Sequence, residues 1–153
     1  MIMSSIAKSF MSDKIFLDTN ILVYAFGTNK SLIQDPRWAA AEQIVMQGCV
    51  VSVQVMNEFV QVCRRKAKQD WQQIDVSLQI IKALCVGIVP LTIDAHEAAV
   101  AVAKRYGLNF YDSLILAAAA QAGCTTVYSE DMQHGQVVDG VQIQNPFLLP
   151  TTS

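Results

Sequence analysis

Apolar and polar positions in the first half of the chain predict strands that lead directly into helices. Residues 14–18 form a short apolar run that ends in the carboxylate of Asp18, and Thr19 or Asn20 is predicted to cap the helix that follows. Asp35-Pro36 is typical of a helix start, and apolar side chains then recur at helical spacing. Residues 49–52 predict a second strand, and the apolar positions of residues 55–63 predict the next helix.

The second half of the chain repeats this alternation. The pattern predicts a helix over residues 71–84, a buried strand over residues 87–91 and a helix that begins with Asp94 as its cap. An alanine-rich helix from Asp112 to Gly123 then leads into a fourth strand, residues 125–128. Because strands and helices alternate, we predict an α/β fold, a three-layer α/β/α sandwich with a mostly parallel central sheet.

Chain length and hydropathy indicate one domain and no membrane segment. The 153 residues fit one domain, which we expect to span residues 14–149 after an N-terminal extension, residues 1–13, that need not be ordered. No apolar run reaches the ~18–20 residues that a bilayer requires. The 4 cysteines lack metal-ligand spacing and are expected to be reduced core thiols, which predicts a cytoplasmic protein without membrane contact.

Composition changes this picture in two ways. Hydrophobic residues make up 52% of the chain and charged residues only 16%, so we expect a second copy of the chain to cover part of the apolar surface in a homodimer. The formal net charge is -2, which excludes a globally basic surface for nucleic-acid binding. Any nucleic-acid site must therefore be local, or must use a metal ion.

Acidic side chains occur where the predicted strands end and helices begin. Asp18 and Asp131 follow strands, Glu58 lies in the helix after the second strand, and Asp112 starts a helix. Each acid alone also fits an ordinary role as a cap, turn or surface residue. The carboxyl ends of parallel strands meet at one sheet edge, so the acids can converge there, and a cation would then offset their repulsion. Hard oxygen ligands favour Mg²⁺ or Mn²⁺.

Four short motifs contain these acids in order: Phe16-Leu-Asp-Thr-Asn20, Asn57-Glu58-Phe59, Tyr111-Asp-Ser-Leu-Ile115 and Tyr128-Ser-Glu-Asp-Met132. Together they resemble the four acidic motifs of the PIN-domain family over roughly residues 14–147, and the chain is most similar to VapC-like toxins of bacterial toxin–antitoxin pairs. The resemblance implies that Asp18, Glu58, Asp112 and Asp131 are both the metal-binding and the catalytic carboxylates. It also implies supporting roles for Asn20 and Ser129, and it favours Asp131 over Glu130 as the fourth acid.

The same resemblance implies an activity and partners. The expected function is a Mg²⁺- or Mn²⁺-dependent endoribonuclease that hydrolyses RNA phosphodiesters, the toxin of a type II toxin–antitoxin pair, with a cognate antitoxin as its partner. Four basic residues after the Glu58 helix, Arg64, Arg65, Lys66 and Lys68, are candidates for contacting RNA phosphates. A solvated helix end is an equally good interpretation of this basic cluster.

Two other functions are compatible with parts of this pattern. A catalytically silent PIN-like module could bind a partner in a ribonucleoprotein or another complex, but such a module would not need an intact set of acids. Alternatively, Asp18 could be the nucleophile of a phosphatase. That chemistry calls for a second Asp at position 20, where this chain has Asn, and for a downstream lysine, although no lysine follows Lys104.

Overall fold

The structure is a computed structural model that describes residues 14–27 and 35–148. The predicted extension, residues 1–13, and the predicted end of the domain at residue 149 lie outside this part of the chain. The strands are β1 (Ile15–Leu17), β2 (Cys49–Ser52), β3 (Cys85–Val89), β4 (Thr126–Tyr128), β5 (Val137–Val138) and β6 (Val141–Gln144). The helices are α1 (Thr19–Leu22), α2 (Pro36–Met46), α3 (Val53–Arg65), α4 (Trp71–Leu84), α5 (Ile93–Tyr106) and α6 (Phe110–Gln121).

The strands form one sheet in the order β3-β2-β1-β4-β6-β5. Neighbouring strands are parallel except β5 and β6, which form an antiparallel hairpin at one edge. Helix α6 packs on β2, β4 and β6, whereas α2 and α3 pack on β2. This arrangement confirms the predicted three-layer α/β/α sandwich with a mostly parallel sheet.

The position of β1 in the sheet decides where the acidic side chains meet. Phe16 of β1 pairs with Val50 of β2 on one side and with Val127 of β4 on the other. The carboxyl ends of β1, β2 and β4 therefore lie at the same edge. Asp18, the start of α3 and the turn after β4 are brought together there, although they are far apart in the sequence.

Side-chain caps explain where most helices begin. Asp35 accepts a hydrogen bond from the Arg37 amide ahead of Pro36, as the Asp-Pro pair predicts. Ser52, at the end of β2, caps α3. Asp70 and Gln73 form a reciprocal capping box at the start of α4.

Three details of the predicted helices and strands are wrong. The cap of α1 is Asp18 rather than Thr19 or Asn20, since its side chain accepts from the Thr19 amide. The cap of α5 is Thr92 rather than Asp94, because Thr92 precedes the helix with an extended backbone and accepts from the amide of Ala95. The third strand was expected at residues 87–91 but spans Cys85–Val89, because Pro90 follows and has no amide hydrogen to pair.

The start of α6 and the β5–β6 hairpin also differ from the predictions. Helix α6 begins at Phe110 behind its cap, Asn109, so Asp112 lies in its first turn instead of starting it. The hairpin has no counterpart in the predicted pattern, although Asp139-Gly140, with φ values of 47° and 82°, is a typical hairpin turn. Its strands are short, which leaves little periodicity to detect.

The interior is apolar on both faces of the sheet. All four residues of β2 are buried, and α6 is buried continuously from Ser113 to Ala119. All four cysteines lie in the described part of the chain, and none forms a disulfide. Within that part, no helix combines the length and apolar character needed to span a bilayer.

Candidate functional site

Asp18 is the most deeply buried acid at the sheet edge, with 5% of its surface exposed. Its Oδ1 accepts from the Thr19 amide at 2.7 Å, and its Oδ2 accepts from Ser129 Oγ at 2.7 Å and from Asn20 Nδ2 at 3.1 Å. Burial raises the pKa of the Asp18 carboxyl to about 6, although the bonds from Ser129 and Thr19 act in the opposite direction. Nearby Asp112 and Glu58 raise this pKa further.

Ser129 and Asn20 connect Asp18 to the turn after β4. Fully buried Ser129 donates to Asp18 and accepts from the amides of Asp131 at 3.2 Å and Met132 at 3.1 Å. Asn20 Nδ2 reaches Asp131 Oδ2 at 3.2 Å, and Asn20 Oδ1 accepts from the Glu130 amide at 3.1 Å. These bonds fix the turn, and with it the backbone of Asp131, relative to the end of β1.

Glu58 is held from two sides. Thr19 Oγ1 donates to its Oε2 at 2.7 Å, and Gln54 Nε2, one helical turn earlier in α3, donates to its Oε1 at 3.0 Å. The side chain is half-buried, in contrast to the surface position that an isolated Glu in an apolar helix would favour. Thr19 thus joins the second acid to the end of β1, a role that sequence reasoning did not assign, although Thr19 lies within the first motif.

Asp112 approaches from α6 and is also half-buried. Burial raises the pKa of the Asp112 carboxyl, and the charges of Glu58 and Asp131 raise it further. No hydrogen bond contributes to this shift. Asp131 is exposed, with Asn20 as its side-chain partner.

One cavity of about 490 Å³ is lined by Asp18, Glu58, Asp112 and Asp131 together. Among the described residues, no group of three or more His, Cys, Asp or Glu side chains is arranged to hold a metal ion by itself. The acids therefore share a cavity without closing into a protein cage. A group of carboxylates on one cavity suits a hard cation such as Mg²⁺, which keeps several waters and takes one or two carboxylates directly.

Residues 15–139 match the PIN domain. The chain belongs to the PIN-domain family.

Solved structures share this PIN fold at low sequence identity. VapC20 of Mycobacterium tuberculosis, a sarcin-ricin loop cleaving toxin, is 22% identical with a TM-score of 0.58, over 77% of this chain and 90% of that one. FitAcB of Neisseria gonorrhoeae is 21% identical with a TM-score of 0.58, over 88% and 99% of the two chains. VapBC2 of Rickettsia felis, bound to a DNA fragment from its promoter, is 20% identical with a TM-score of 0.59, over 86% and 97%. No curated protein sequence matches this chain significantly.

Glu130 lines the acid cavity of this PIN domain, but its carboxylate is already paired. Arg37 Nη1 donates to Glu130 Oε2 at 3.0 Å, and Tyr24 OH donates to Oε1 at 2.5 Å. Arg37 also forms an ion pair with Asp35 at 2.6 Å and stacks over the Tyr24 ring at 4.6 Å. Burial, together with the hydrogen bond to the Glu130 carboxylate, raises the pKa of Tyr24 to about 12. Sequence reasoning missed Tyr24 and Arg37, since neither residue belongs to a motif.

The four basic candidates have different contacts in the structure. Lys66 lines the acid cavity. Arg64 donates to the carbonyl of Gln69 at 3.1 Å and stacks over the Trp71 ring at 4.6 Å, so it links the end of α3 to the start of α4. Arg65 faces the Gln61 amide, and exposed Lys68 has a left-handed backbone with φ 51°. The structure thus brings only Lys66 of the basic cluster to the cavity.

Proposed function

We propose that this PIN domain is a metal-dependent endoribonuclease that hydrolyses RNA phosphodiesters. The observation that carries the proposal is that the four acids of the motifs, which come from four separate segments of the chain, line the same cavity. The raised pKa values of Asp18 and Asp112 are consistent with it: burial is the main cause of both shifts, and neighbouring carboxylates, whose charge a cation would offset, add to them. The intact set of acids argues against a catalytically silent binding module.

Asp18, Glu58, Asp112 and Asp131 are the residues we propose as metal ligands and catalytic acids, with Mg²⁺ or Mn²⁺ as the ion. A bound ion of this kind would polarise a phosphoryl oxygen and make water a stronger nucleophile. The chain's own residues position the ligands: Ser129 and Asn20 orient Asp18, and Thr19 orients Glu58. Lys66 supplies a positive charge on the same cavity, where an RNA phosphate would enter.

We further propose that the protein is the toxin of a type II toxin–antitoxin pair in the cytoplasm. The likeness to VapC20, which cleaves the sarcin-ricin loop, and to VapBC2 supports this proposal. It predicts a cognate antitoxin, encoded as a short protein in the adjacent upstream reading frame. Co-expression of the two reading frames and purification through a tag on one should recover both, whereas separate elution would contradict the pairing.

A homodimer is part of the same proposal. Exposed apolar side chains on the described surface support it, since Ile93 is 71% and Val76 is 53% exposed. Light scattering of the purified chain at micromolar concentration should give the mass of two copies. A mass of one copy would contradict the homodimer.

The cleavage experiment compares two acids in the first turns of helices. Purified wild type, Asp112→Asn and Asp94→Asn are incubated with structured and single-stranded RNAs in Mn²⁺, in Mg²⁺ and in EDTA. Asp94 is an exposed first-turn acid of α5 and does not line the acid cavity, so it controls for loss of a helix-start charge. We expect wild type and Asp94→Asn to cleave RNA with either ion, EDTA to stop cleavage, and Asp112→Asn to lose activity by at least about a hundredfold.

Three other results of this experiment would contradict parts of the proposal. Cleavage that survives EDTA contradicts metal dependence. No cleavage of any RNA with either ion favours the silent binding module. Equal activity in Asp112→Asn and wild type removes Asp112 from the catalytic set.

A further inference from the structure

Two cysteines face each other across neighbouring strands of the sheet. Cys49 is the first residue of β2, Cys85 is the first residue of β3, and the two are partners in the parallel register. Their Sγ atoms lie 3.7 Å apart, although the residues are 36 positions apart in the chain. The spacing of the cysteines in the sequence gave no sign of this contact, because it depends on the pairing of β2 with β3.

The backbone around this pair can accommodate a disulfide bond. Neighbouring strands lie about 4.8 Å apart, within the range of roughly 4.4–6.8 Å that separates the Cα atoms of bonded cysteines. The register shifts directly after Cys49, where Val50 pairs with Gly87 and Val86 is the extra residue of β3. A shift of this kind interrupts the regular ladder. The two sulfurs can therefore approach by rotation about their Cα–Cβ bonds, next to a segment that a regular ladder does not fix.

The contact also separates this pair chemically from the other two cysteines. Burial raises the pKa values of Cys63 and Cys124 to about 11, so both remain unreactive thiols at neutral pH. Cys85 is only half-buried, and the hydrogen bond from the Cys49 thiol lowers the pKa of Cys85. The same hydrogen bond, together with burial, raises the pKa of Cys49. Cys85 is thus the nucleophilic thiolate of the pair, and Cys49 keeps its proton beside it.

We propose that Cys49 and Cys85 form an oxidation site, at which a peroxide converts the two thiols into an intramolecular disulfide. The Cys85 thiolate attacks one oxygen of hydrogen peroxide, the O–O bond breaks, and the other oxygen leaves as hydroxide and is protonated to water. This step leaves a sulfenic acid on Cys85. The Cys49 sulfur then attacks Cys85 Sγ, and the sulfenic hydroxyl leaves with the Cys49 proton as a second water. The two thiols lose two hydrogen atoms, and the peroxide is reduced to water.

The disulfide joins an edge strand to the body of the sheet. β3 is an edge strand and pairs with β2. Cys49 and Cys85 lie at the amino ends of these strands, whereas the acid cavity lies at the carboxyl ends. Oxidation therefore stabilises the fold at the edge opposite the four acids. The inference does not depend on the proposed ribonuclease function.

The test counts thiols in the full-length protein before and after exposure to peroxide. Wild type, Cys85→Ser, Cys49→Ser and Cys124→Ala are reduced, freed of reductant and treated with a small molar excess of hydrogen peroxide under native conditions. Free thiols are then alkylated in denaturant, and peptide mapping by mass spectrometry locates any disulfide. Cys124→Ala is the matched control, because Cys124 is also buried but precedes β4, which pairs with neither β2 nor β3.

We expect peroxide to remove the thiols of Cys49 and Cys85 from wild type and to give one crosslinked peptide that contains both residues. Cys124→Ala should form the same disulfide, whereas Cys85→Ser and Cys49→Ser should form none. The oxidised wild type should melt roughly 5–10 °C above the reduced protein, because the bond closes a long loop in the unfolded chain. Dithiothreitol should reverse this shift in Tm.

Four results would overturn the proposal. Wild type keeps all of its thiols, its disulfide joins other cysteines, a non-reducing gel shows a disulfide between two chains, or Cys85→Ser loses as many thiols as wild type. A Tm that stays constant or falls on oxidation would contradict the stabilisation. If Cys49→Ser does not fold, Cys85→Ser decides the test, since its substitution lies at a half-buried position.

Discussion

The Asp18 and Asp112 carboxylates line the same cavity, but the fold holds them in different ways. Asp18 is buried and accepts three hydrogen bonds, from Thr19, Asn20 and Ser129. Asp112 is half-buried, and only burial and neighbouring charges shift its pKa. The Asp18 carboxylate is therefore held in place before any ligand binds, and we call this the rigid side of the cavity. The Asp112 carboxylate is repelled by neighbouring carboxylates, and we call this the repulsive side.

This difference suits the proposed function, in which the site binds a cation and an RNA phosphate. A carboxylate fixed by hydrogen bonds costs little ordering when a cation binds. A carboxylate that repels its neighbours gains most from the positive charge. We expect substitutions on the Asp18 side to change the stability of the fold and substitutions on the Asp112 side to change the response to metal.

The largest expected effect on stability comes from Ser129, on the rigid side of the cavity. Ser129→Ala removes one donor to Asp18 and one acceptor for two backbone amides, so we expect the free energy of unfolding to fall by about 3 kcal/mol. Ser113→Ala is the matched control, since Ser113 is also fully buried but its hydroxyl donates to the carbonyl of Asn109, the cap of α6, and the substitution should cost under about 1 kcal/mol. Urea denaturation of both variants measures the difference. Equal losses would show that the Ser129 network adds nothing beyond burial.

The second effect is the pH dependence of metal-free stability. The pKa of Asp18 is raised to about 6 in the fold, above its ordinary unfolded value of about 4. The native state therefore keeps a proton that the unfolded chain releases, so stability falls as pH rises through this window. Between pH 4 and pH 7 in EDTA, wild type should lose about 2 kcal/mol more than Asp18→Asn, which cannot titrate there. Parallel stability curves for the two proteins would contradict a raised pKa at Asp18.

The third effect tests the repulsive side. Asp112→Asn removes one of the mutually repelling charges, so it should raise the Tm in EDTA by an amount equivalent to at most about 1 kcal/mol after solvent screening. It should also reduce the Tm increase that Mn²⁺ gives. Asp94→Asn should do neither. An Asp112→Asn variant that melts lower in EDTA and gains as much from Mn²⁺ as wild type would make Asp112 an ordinary helix-start acid.

The smallest expected effect on stability comes from Arg37, which pairs with Glu130 next to the rigid side. Arg37→Lys keeps the charge but loses the bidentate contact with Asp35 and part of the contact with Glu130, and we expect it to cost about 0.5 kcal/mol because the side chain is 40% exposed. Arg105→Lys, at a 3.7 Å pair with Asp139, should cost nothing measurable. Thermal melts of both variants compare them. No loss in Arg37→Lys would mean that the Glu130 pairing is only a surface contact.

The sequence alone determined the alternation of strands and helices and the order of the acidic motifs. Residues 14–18 and 49–52 predicted their strands because apolar runs with a turn or cap behind them have few other stable conformations. Asp18, Asp112 and Asp131 were identifiable for the same reason, since each lies next to a strand end or a helix start that local pattern can locate, whereas Glu58 lies within α3 and was singled out by its motif. The β5–β6 hairpin was not predicted, because β5 has only two residues and glutamines alternate with the apolar residues of β6, so neither strand is a continuous apolar run.

Only the tertiary structure decided which side chains share the cavity. The placement of β1 between β2 and β4 brings Asp18 to Glu58 and Asp131, and no local pattern contains the order of strands. Glu130 and Asp131 are adjacent in sequence, yet Glu130 pairs with Arg37 of α2 while Asp131 contacts Asn20. Such contacts depend on segments far apart in the chain, and local propensity carries no information about them. The physical reason is that packing of whole helices and strands fixes these distances, whereas the sequence pattern fixes only the elements that pack.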